Sequence, residues 1–179
     1  MRALADEMES PKYAHLERER RWLVDPGARP PLDGLPFVDI DDHYVRGTRL
    51  RLRRMADGTS GAQSLKLTKK YDCADALARP IVTAYLTEAE YASLAILTAD
   101  PLAKRRYRIA EQGVEYSLDV FAGPLAGLEQ LECEAADGPA LAALQPPSWA
   151  AREVTADRRF EGATLAANGL PEEQPWQPS

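Results

Sequence analysis

Polar and apolar residues alternate in several separate stretches of the chain, which is typical of β-strands with one buried face. The clearest runs cover 16–25, 48–54, 63–71, 104–109, 115–121 and 128–135. Successive side chains of a strand point to opposite sides, so each run gathers its charges on one face. Stretches rich in Gly and Pro separate the runs, which predicts antiparallel strands joined by turns and loops.

The first run, 17–21, places the carboxylates of Glu17 and Glu19 and the guanidinium of Arg21 along one face if it forms a strand. Taken alone, the run also fits a charged surface helix, or an edge strand whose charges lie in water. Four later segments repeat the alternation. The repetition favours a strand whose charged face lines a wet cavity.

Several strands carry charges on one face and apolar residues on the other. Leu131 and Cys133, for example, alternate with acidic residues, so this strand has a buried side as well as an acidic one. The residues of the charged faces are the acids Glu17, Glu19, Asp119, Glu132 and Glu134 and the bases Arg21, Arg49, Arg51, Lys66, Lys104 and Arg106. The pattern predicts a mainly β fold with flanking helices, in which a closed antiparallel barrel surrounds a charged lumen.

The mixture of charges favours phosphate chemistry. Arginine binds phosphate oxygens in pairs and lysine binds them as a point charge. Carboxylates on neighbouring strands repel one another unless a hard cation such as Mg²⁺ or Mn²⁺ lies between them. A metal ion beside a basic cradle is the arrangement that phosphoryl transfer uses.

The segments between the charged runs predict a scaffold. Thr87 and Glu90 form a capping-box pattern at the start of a helix that Asp100-Pro101 would end. A short helical turn is expected over 139–144 and a closing helix over 159–168, with Gly169 just past its end. We expect a flexible extension over 1–13, one domain over 14–170 and a disordered tail over 171–179.

Composition narrows the classes of function. The chain has 179 residues and a net charge of −6, which argues against nucleic acid or an anionic membrane as a partner. No apolar run is long enough to span a membrane, and the two cysteines, Cys73 and Cys133, lie far apart. These features predict a cytoplasmic protein with reduced thiols, acting on a small molecule and compatible with a homodimer.

The chain resembles the CYTH superfamily, the triphosphate tunnel metalloenzymes, in the order of its charged motifs. These are the Glu-x-Glu-x-basic start, Arg49-x-Arg51, the Lys66 strand, Lys104-x-Arg106, Asp119 and Glu132-x-Glu134. The resemblance runs from about residue 16 to residue 170. It implies an eight-stranded antiparallel β tunnel that holds a triphosphate with one or two divalent metal ions.

The resemblance also implies residue roles. The implied metal ligands are Glu17, Glu19, Glu132 and Glu134, and the implied phosphate-binding residues are Arg49, Arg51, Lys66, Lys104 and Arg106. Arg21 and Asp119 would be catalytic, and Asp119 would hold or polarise a neighbour, or orient water. Glu153 resembles a C-terminal element with a role in the lumen.

Two departures from the family pattern bear on the chemistry. The first motif normally ends in Lys and here ends in Arg21, which keeps the charge but does not give up a proton. Some members carry a further acidic pair on the strand after Lys66, where this chain offers only Asp72 and Asp75 in a predicted loop, so a two-metal site would hold one ion firmly.

Three functions fit the sequence. The leading hypothesis is metal-dependent hydrolysis of a triphosphate, with inorganic triphosphate as the substrate. A class IV adenylate cyclase, which converts ATP to cyclic AMP and pyrophosphate, is the alternative within the family. A non-catalytic protein that binds triphosphate or nucleotide is the alternative outside enzymes.

Overall fold

The computed structural model describes residues 11–71 and 77–172, and within them nine strands form one sheet. Asp72 and Asp75 lie outside these residues, as do positions 1–10 of the predicted extension and 173–179 of the predicted tail. The strands are β1 (His15–Val24), β2 (Phe37–Val45), β3 (Leu50–Asp57), β4 (Gln63–Lys70), β5 (Ala78–Tyr85), β6 (Ala99–Glu111), β7 (Val114–Phe121), β8 (Glu129–Glu134) and β9 (Ala150–Glu153).

Eight of the strands close into an antiparallel barrel. The order is β5-β4-β3-β2-β6-β7-β8-β1, and β1 pairs back with β5 to complete the ring. Strand β9 pairs with the end of β1, on the edge opposite β8. The closed antiparallel barrel expected from the alternating pattern is therefore confirmed, and so are the eight strands that the resemblance implies, with one additional short strand beside them.

Strand β1 is central to the closure because it has partners on both edges. Its first half pairs with β5, where Glu17 lies opposite Arg79, and its second half pairs with β8, where Glu19 lies opposite Glu134 and Arg21 opposite Glu132. The alternative interpretations of this run, a surface helix or a solvated edge strand, are wrong. Its odd-numbered charges line the lumen.

Apolar side chains fill the barrel beyond its charged layer. The cluster comprises Leu23, Leu102, Phe121, Leu125, Leu128, Val154, Phe160 and Leu165. Two of its members come from C-terminal elements, namely a 3₁₀ turn at Arg158–Phe160 and a helix at Gly162–Asn168. The closing helix predicted over 159–168 is thus confirmed as a turn plus a helix. We call residues 158–163 the C-terminal segment.

A second cluster lies on the outer face of strands β1, β7 and β8. It contains Trp22, Val24, Tyr116, Leu118, Leu131, Cys133 and Trp149. Cys133 is buried, as its place among apolar residues predicts. Helix α2 (Gly138–Ala143) follows β8 at the position of the predicted helical turn, with Asp137 as its N-cap. Strands β1 and β8 therefore carry a buried apolar patch on their outer face and charged residues on their inner face.

Helix α1 (Glu88–Leu94) packs outside the barrel. Its buried residue Tyr91 contacts Leu52 and Leu65 from strands β3 and β4. The helix ends earlier than predicted, because Pro101 lies within β6 and pairs with His43. Asp100 and Pro101, which the sequence placed at the end of the helix, instead form part of β6 and pair with β2. No helix among residues 11–71 and 77–172 is long and apolar enough to cross a membrane.

The capping box at the start of α1 is formed as predicted. The backbone N–H of Glu90 donates to the Thr87 hydroxyl over 3.3 Å, and the Thr87 N–H donates to the Glu90 carboxylate over 2.7 Å. We expect Thr87→Ala to lower the free energy of unfolding by about 1 kcal/mol, as loss of an N-cap usually does. Urea denaturation measures this, and Thr87→Ser should restore stability. Equal stability of the alanine variant and the wild type would contradict the capping role.

Candidate functional site

The barrel encloses a cavity of about 350 Å³ whose wall is dominated by charged side chains. Its charged lining comprises the bases Arg21, Arg49, Arg51, Arg53, Lys70, Arg79, Lys104, Arg106 and Arg158 and the acids Glu17, Glu19, Glu132, Glu134 and Glu161. Nine bases thus face five acids, although the whole chain carries a net charge of −6. The cavity reverses the sign of the protein, which suits a strongly anionic ligand.

Three carboxylates gather on one side of this cavity. One oxygen each from Glu17, Glu19 and Glu134 can be chosen so that all three atoms lie within 4.8 Å of one another. The register of β1 against β8 produces this group, because Glu19 and Glu134 are direct partners and Glu17 lies two residues before Glu19. Three carboxylate oxygens at this spacing can hold a metal ion.

The two carboxyls of β1 differ in their electrostatic surroundings. Burial and the neighbouring charge of Glu132 raise the pKa of Glu19. Burial also acts to raise the pKa of Glu17, but the charges of Lys70 and Arg51 outweigh it, and the pKa of Glu17 is lowered. Three close carboxylates with only partial compensation form a site that a divalent cation would stabilise.

Glu132, the fourth predicted metal ligand, lies on the wall but outside the carboxylate group. Its carboxylate accepts a hydrogen bond from Arg106 over 2.5 Å. Burial acts to raise the pKa of Glu132, yet the charges of Arg106 and Lys104 hold this pKa well below its ordinary value. The structure therefore brings three of the four predicted carboxylates together and places the fourth among the bases.

Asp119 lies behind the wall and is fully buried. It accepts two hydrogen bonds of 2.6 Å from Arg106 and a further one from Lys104. Burial lowers the pKa of Lys104, and the charge of Asp119 opposes that effect. Of the two roles predicted for Asp119, holding its neighbours matches these contacts, because its oxygens point at Lys104 and Arg106.

A second buried carboxylate, Asp42, holds the arginines of β3 in the same way. It accepts two hydrogen bonds of 2.6 Å from Arg53, and its nearer oxygen lies 3.6 Å from Nε of Arg51. Burial acts to raise the pKa of Asp42, but the charges of Arg51 and Arg53 outweigh it and lower the pKa to about 2. Sequence reasoning missed Asp42, since three aspartates within 39–42 gave no indication of which one faces inward.

The lysine that reaches the carboxylate group is Lys70, whereas the sequence indicated Lys66. Both residues share the inner face of β4, as the alternation predicts. The ammonium of Lys66 instead lies 5.1 Å from the centre of the Tyr85 ring, and Lys66 is not among the residues that line the cavity. Lys70 donates to Glu17 Oε2 over 2.7 Å. Alternation with a period of two determines which face of a strand a side chain lies on, but not how far along the strand the cavity lies.

Arg21 and Arg49 both line the cavity, as predicted. Arg21 is buried, and its Nη1 donates to the carbonyl of Phe160 over 3.1 Å, while its Nε lies 3.5 Å from Glu19. The guanidinium thus connects the first motif to the C-terminal segment. A lysine offers a single ammonium and does not reproduce this two-sided contact.

The C-terminal segment supplies lining residues that alternation could not reveal, because it contains no strand. Glu161 receives hydrogen bonds from Arg79 of β5, at 3.0 and 3.4 Å, and Arg158 lines the cavity beside it. Glu153, predicted to have a role in the lumen, instead pairs with Arg20 over 2.6 Å. Arg20 alternates with the inward residues Glu19 and Arg21, so this pair lies on the outer face of the barrel.

No protein-family model matches the chain. An inorganic triphosphatase of Nitrosomonas europaea is 43% identical over 54 residues, which make up 30% of this chain and 36% of that relative. The chain thus matches about a third of that protein's length.

Solved structures give the likeness over most of the chain. A crystal structure of an inorganic triphosphatase is 27% identical, with a TM-score of 0.57, and the match covers 84% of this chain and 97% of that one. A Bacillus halodurans protein proposed to be an adenylate cyclase is 15% identical, with a TM-score of 0.51, and the match covers 72% and 85% of the two chains. The second likeness shows the shared fold alone.

The buried aspartate Asp42 generates a prediction about stability. We expect Asp42→Asn to lower the free energy of unfolding at pH 7 by about 3–5 kcal/mol, because it leaves Arg51 and Arg53 without their buried counter-charge. The matched control is Asp41→Asn, which removes the same charge from the exposed neighbouring position. Urea denaturation of the three proteins measures the difference, and equal stability of the two variants would contradict the assignment.

The same residue predicts a pH dependence. The pKa of Asp42 is about 2 in the folded protein, and about 3.9 is usual in an unfolded chain. A folded-state pKa below the unfolded value means that the ionised carboxylate stabilises the fold above about pH 4 and that this contribution is lost as the pH falls toward 2. The stability difference between wild type and Asp42→Asn should therefore shrink over that range. A constant difference would contradict the pKa assignment.

Proposed function

We propose that the chain belongs to the CYTH superfamily, the triphosphate tunnel metalloenzymes, and that it is a metal-dependent triphosphatase whose substrate is inorganic triphosphate. The observation that carries the proposal is the cavity itself, in which nine basic side chains surround a group of three carboxylates. The 27% identical inorganic triphosphatase, matched over 97% of its length, supports the choice of substrate.

The carboxylates of Glu17, Glu19 and Glu134 would hold the metal ion, with Mg²⁺ or Mn²⁺ as the ions that suit such ligands. When bound, the ion supplies a Lewis acid that polarises a phosphoryl oxygen. Among the described residues, no other group of acids or histidines has the spacing of a metal site. We therefore propose a single firmly held ion.

The basic residues would bind the phosphates and neutralise the charge that develops during transfer. Arg51 and Arg53 present their guanidinium groups from β3, and Lys104 and Arg106 present theirs from β6. Each pair is held from behind by one buried aspartate, Asp42 or Asp119. Such fixed cations stabilise a transition state without having to reorganise first.

Arg21 would position the carboxylate group rather than transfer a proton. Its guanidinium lies between Glu19 and the carbonyl of Phe160, and arginine stays protonated at any physiological pH. We propose that it fixes the carboxylate of Glu19 through charge. A water molecule that attacks the terminal phosphorus would then lose its proton to a group other than Arg21.

The deciding experiment measures phosphate release from inorganic triphosphate with Mg²⁺, with Mn²⁺ and with a chelator. ATP is tested in parallel, with detection of cyclic AMP. We expect metal-dependent release from triphosphate and slow use of ATP. Cyclic AMP and pyrophosphate from ATP would identify a cyclase instead. No turnover of either compound, together with a higher melting temperature in triphosphate, would identify a binding protein.

A substitution in the carboxylate group tests the metal site. We expect Glu19→Gln to reduce metal-dependent phosphate release by at least about 100-fold, because it removes one charged ligand from a site that catalysis requires. The control is Glu153→Gln, which alters a glutamate paired with arginine on the outer face of the barrel. Equal activity of the two variants would contradict the assignment of the metal site.

A further inference from the structure

One lysine occupies a position that its neighbours do not explain. Lys70 is the last residue of β4, and its ammonium reaches Glu17 on β1, although β5 lies between these two strands. Four other cations of the wall pair with Asp42 or Asp119, which lie behind the cavity lining. Arg21 lies 3.5 Å from Glu19, but its Nε donates no hydrogen bond. Lys70 instead pairs with a carboxylate of the proposed metal group.

The contact occupies one of the two oxygens of a carboxylate in the proposed metal group. Lys70 donates to Oε2 of Glu17 over 2.7 Å, and Glu17 is one of the three residues whose oxygens lie within 4.8 Å of one another. The charge of Lys70 also opposes the rise that burial gives to the pKa of Glu19. The ammonium therefore neutralises part of the carboxylate group from within the protein.

A divalent ion at the carboxylate group and the ammonium of Lys70 would repel each other, since both are cations that seek the same oxygens. The lysine has an alternative position. Its side chain is 29% exposed and lines the cavity, whose basic wall is built for a polyanion. A flexible four-carbon stem allows the ammonium to move without moving the strand.

We propose that Lys70 is an internal cation that the metal ion displaces, and that the displaced ammonium becomes a ligand of the triphosphate. This inference rests on the proposed function, because it uses the same metal group and the same polyanion. Metal and triphosphate then bind cooperatively. The metal releases Lys70 from Glu17, and the triphosphate keeps Lys70 away from the metal.

Thermodynamic linkage makes this cooperativity measurable from either ligand. The probe is Mn²⁺, titrated calorimetrically into the full chain with and without a triphosphate analogue whose bridging oxygens are replaced by NH. In the wild type we expect the analogue to tighten Mn²⁺ binding by about tenfold or more. In Lys70→Met we expect tighter Mn²⁺ binding without the analogue, and a smaller further tightening with it than in the wild type, because only the direct contact between metal and phosphate then couples the two ligands.

The matched control is Lys69→Met. Lys69 precedes Lys70, is exposed and lies 4.8 Å from the centre of the Tyr71 ring, so the variant loses the same charge on the opposite face of β4. Lys69→Met should keep the wild-type coupling. Lys70→Arg should restore part of the coupling if the displaced cation binds phosphate. Circular dichroism and thermal melting confirm that each variant is folded.

The outcomes separate this inference from the proposed function. Equal coupling in wild type and Lys70→Met, or unchanged Mn²⁺ affinity in that variant, would overturn the role of Lys70 alone. A purely electrostatic effect would tighten Mn²⁺ equally with and without the analogue, which also overturns displacement. A wild type that binds no Mn²⁺ overturns the metal site and this inference together. A wild type that shows the coupling but hydrolyses nothing overturns the proposed hydrolysis and supports the role of Lys70.

Discussion

Two fully buried carboxylates make the charged interior of this barrel possible. Asp42 and Asp119 each receive two short hydrogen bonds from an inward-pointing arginine and also lie close to a second cation. An unpaired ion inside a protein costs several kcal/mol, so the basic wall would be unstable without them. Both arginines use Nε and Nη2 for this pairing, and both still line the cavity. Stability and ligand binding thus depend on the same two residues.

Sequence patterns predicted the architecture well because a barrel wall has a simple period. Alternation assigned Glu17, Glu19 and Arg21 to the lumen and Arg20 to the outside, and one face of β3 to the basic wall. The Thr87 capping box likewise depends on residues three apart, so its signal is local. The closed ring also follows, since strands with one charged and one apolar face need an enclosed polar side and a packed outer side.

For the site, the sequence predicted only which strand face each residue lies on. Lys66 and Lys70 share a face, and their different depths depend on the pairing of β4 with β3 and β5. Asp42 was hidden among adjacent aspartates, and its burial follows from the two arginines opposite it. Glu161 comes from a segment without strand periodicity and reaches the site through tertiary packing. Each of these depends on contacts distant in sequence.

Strand β1 has a consequence for how the protein reaches its fold. Among the described residues it is the first strand, yet its second half pairs with β8 and β9, which are the last two strands described. The ring therefore cannot close on a ribosome until nearly the whole chain has emerged, and folds dominated by such distant pairings form slowly. During that wait an unpaired strand is an aggregation risk. Charged side chains along a strand oppose its pairing with other chains, and those along 17–21 include two of the residues proposed to bind metal.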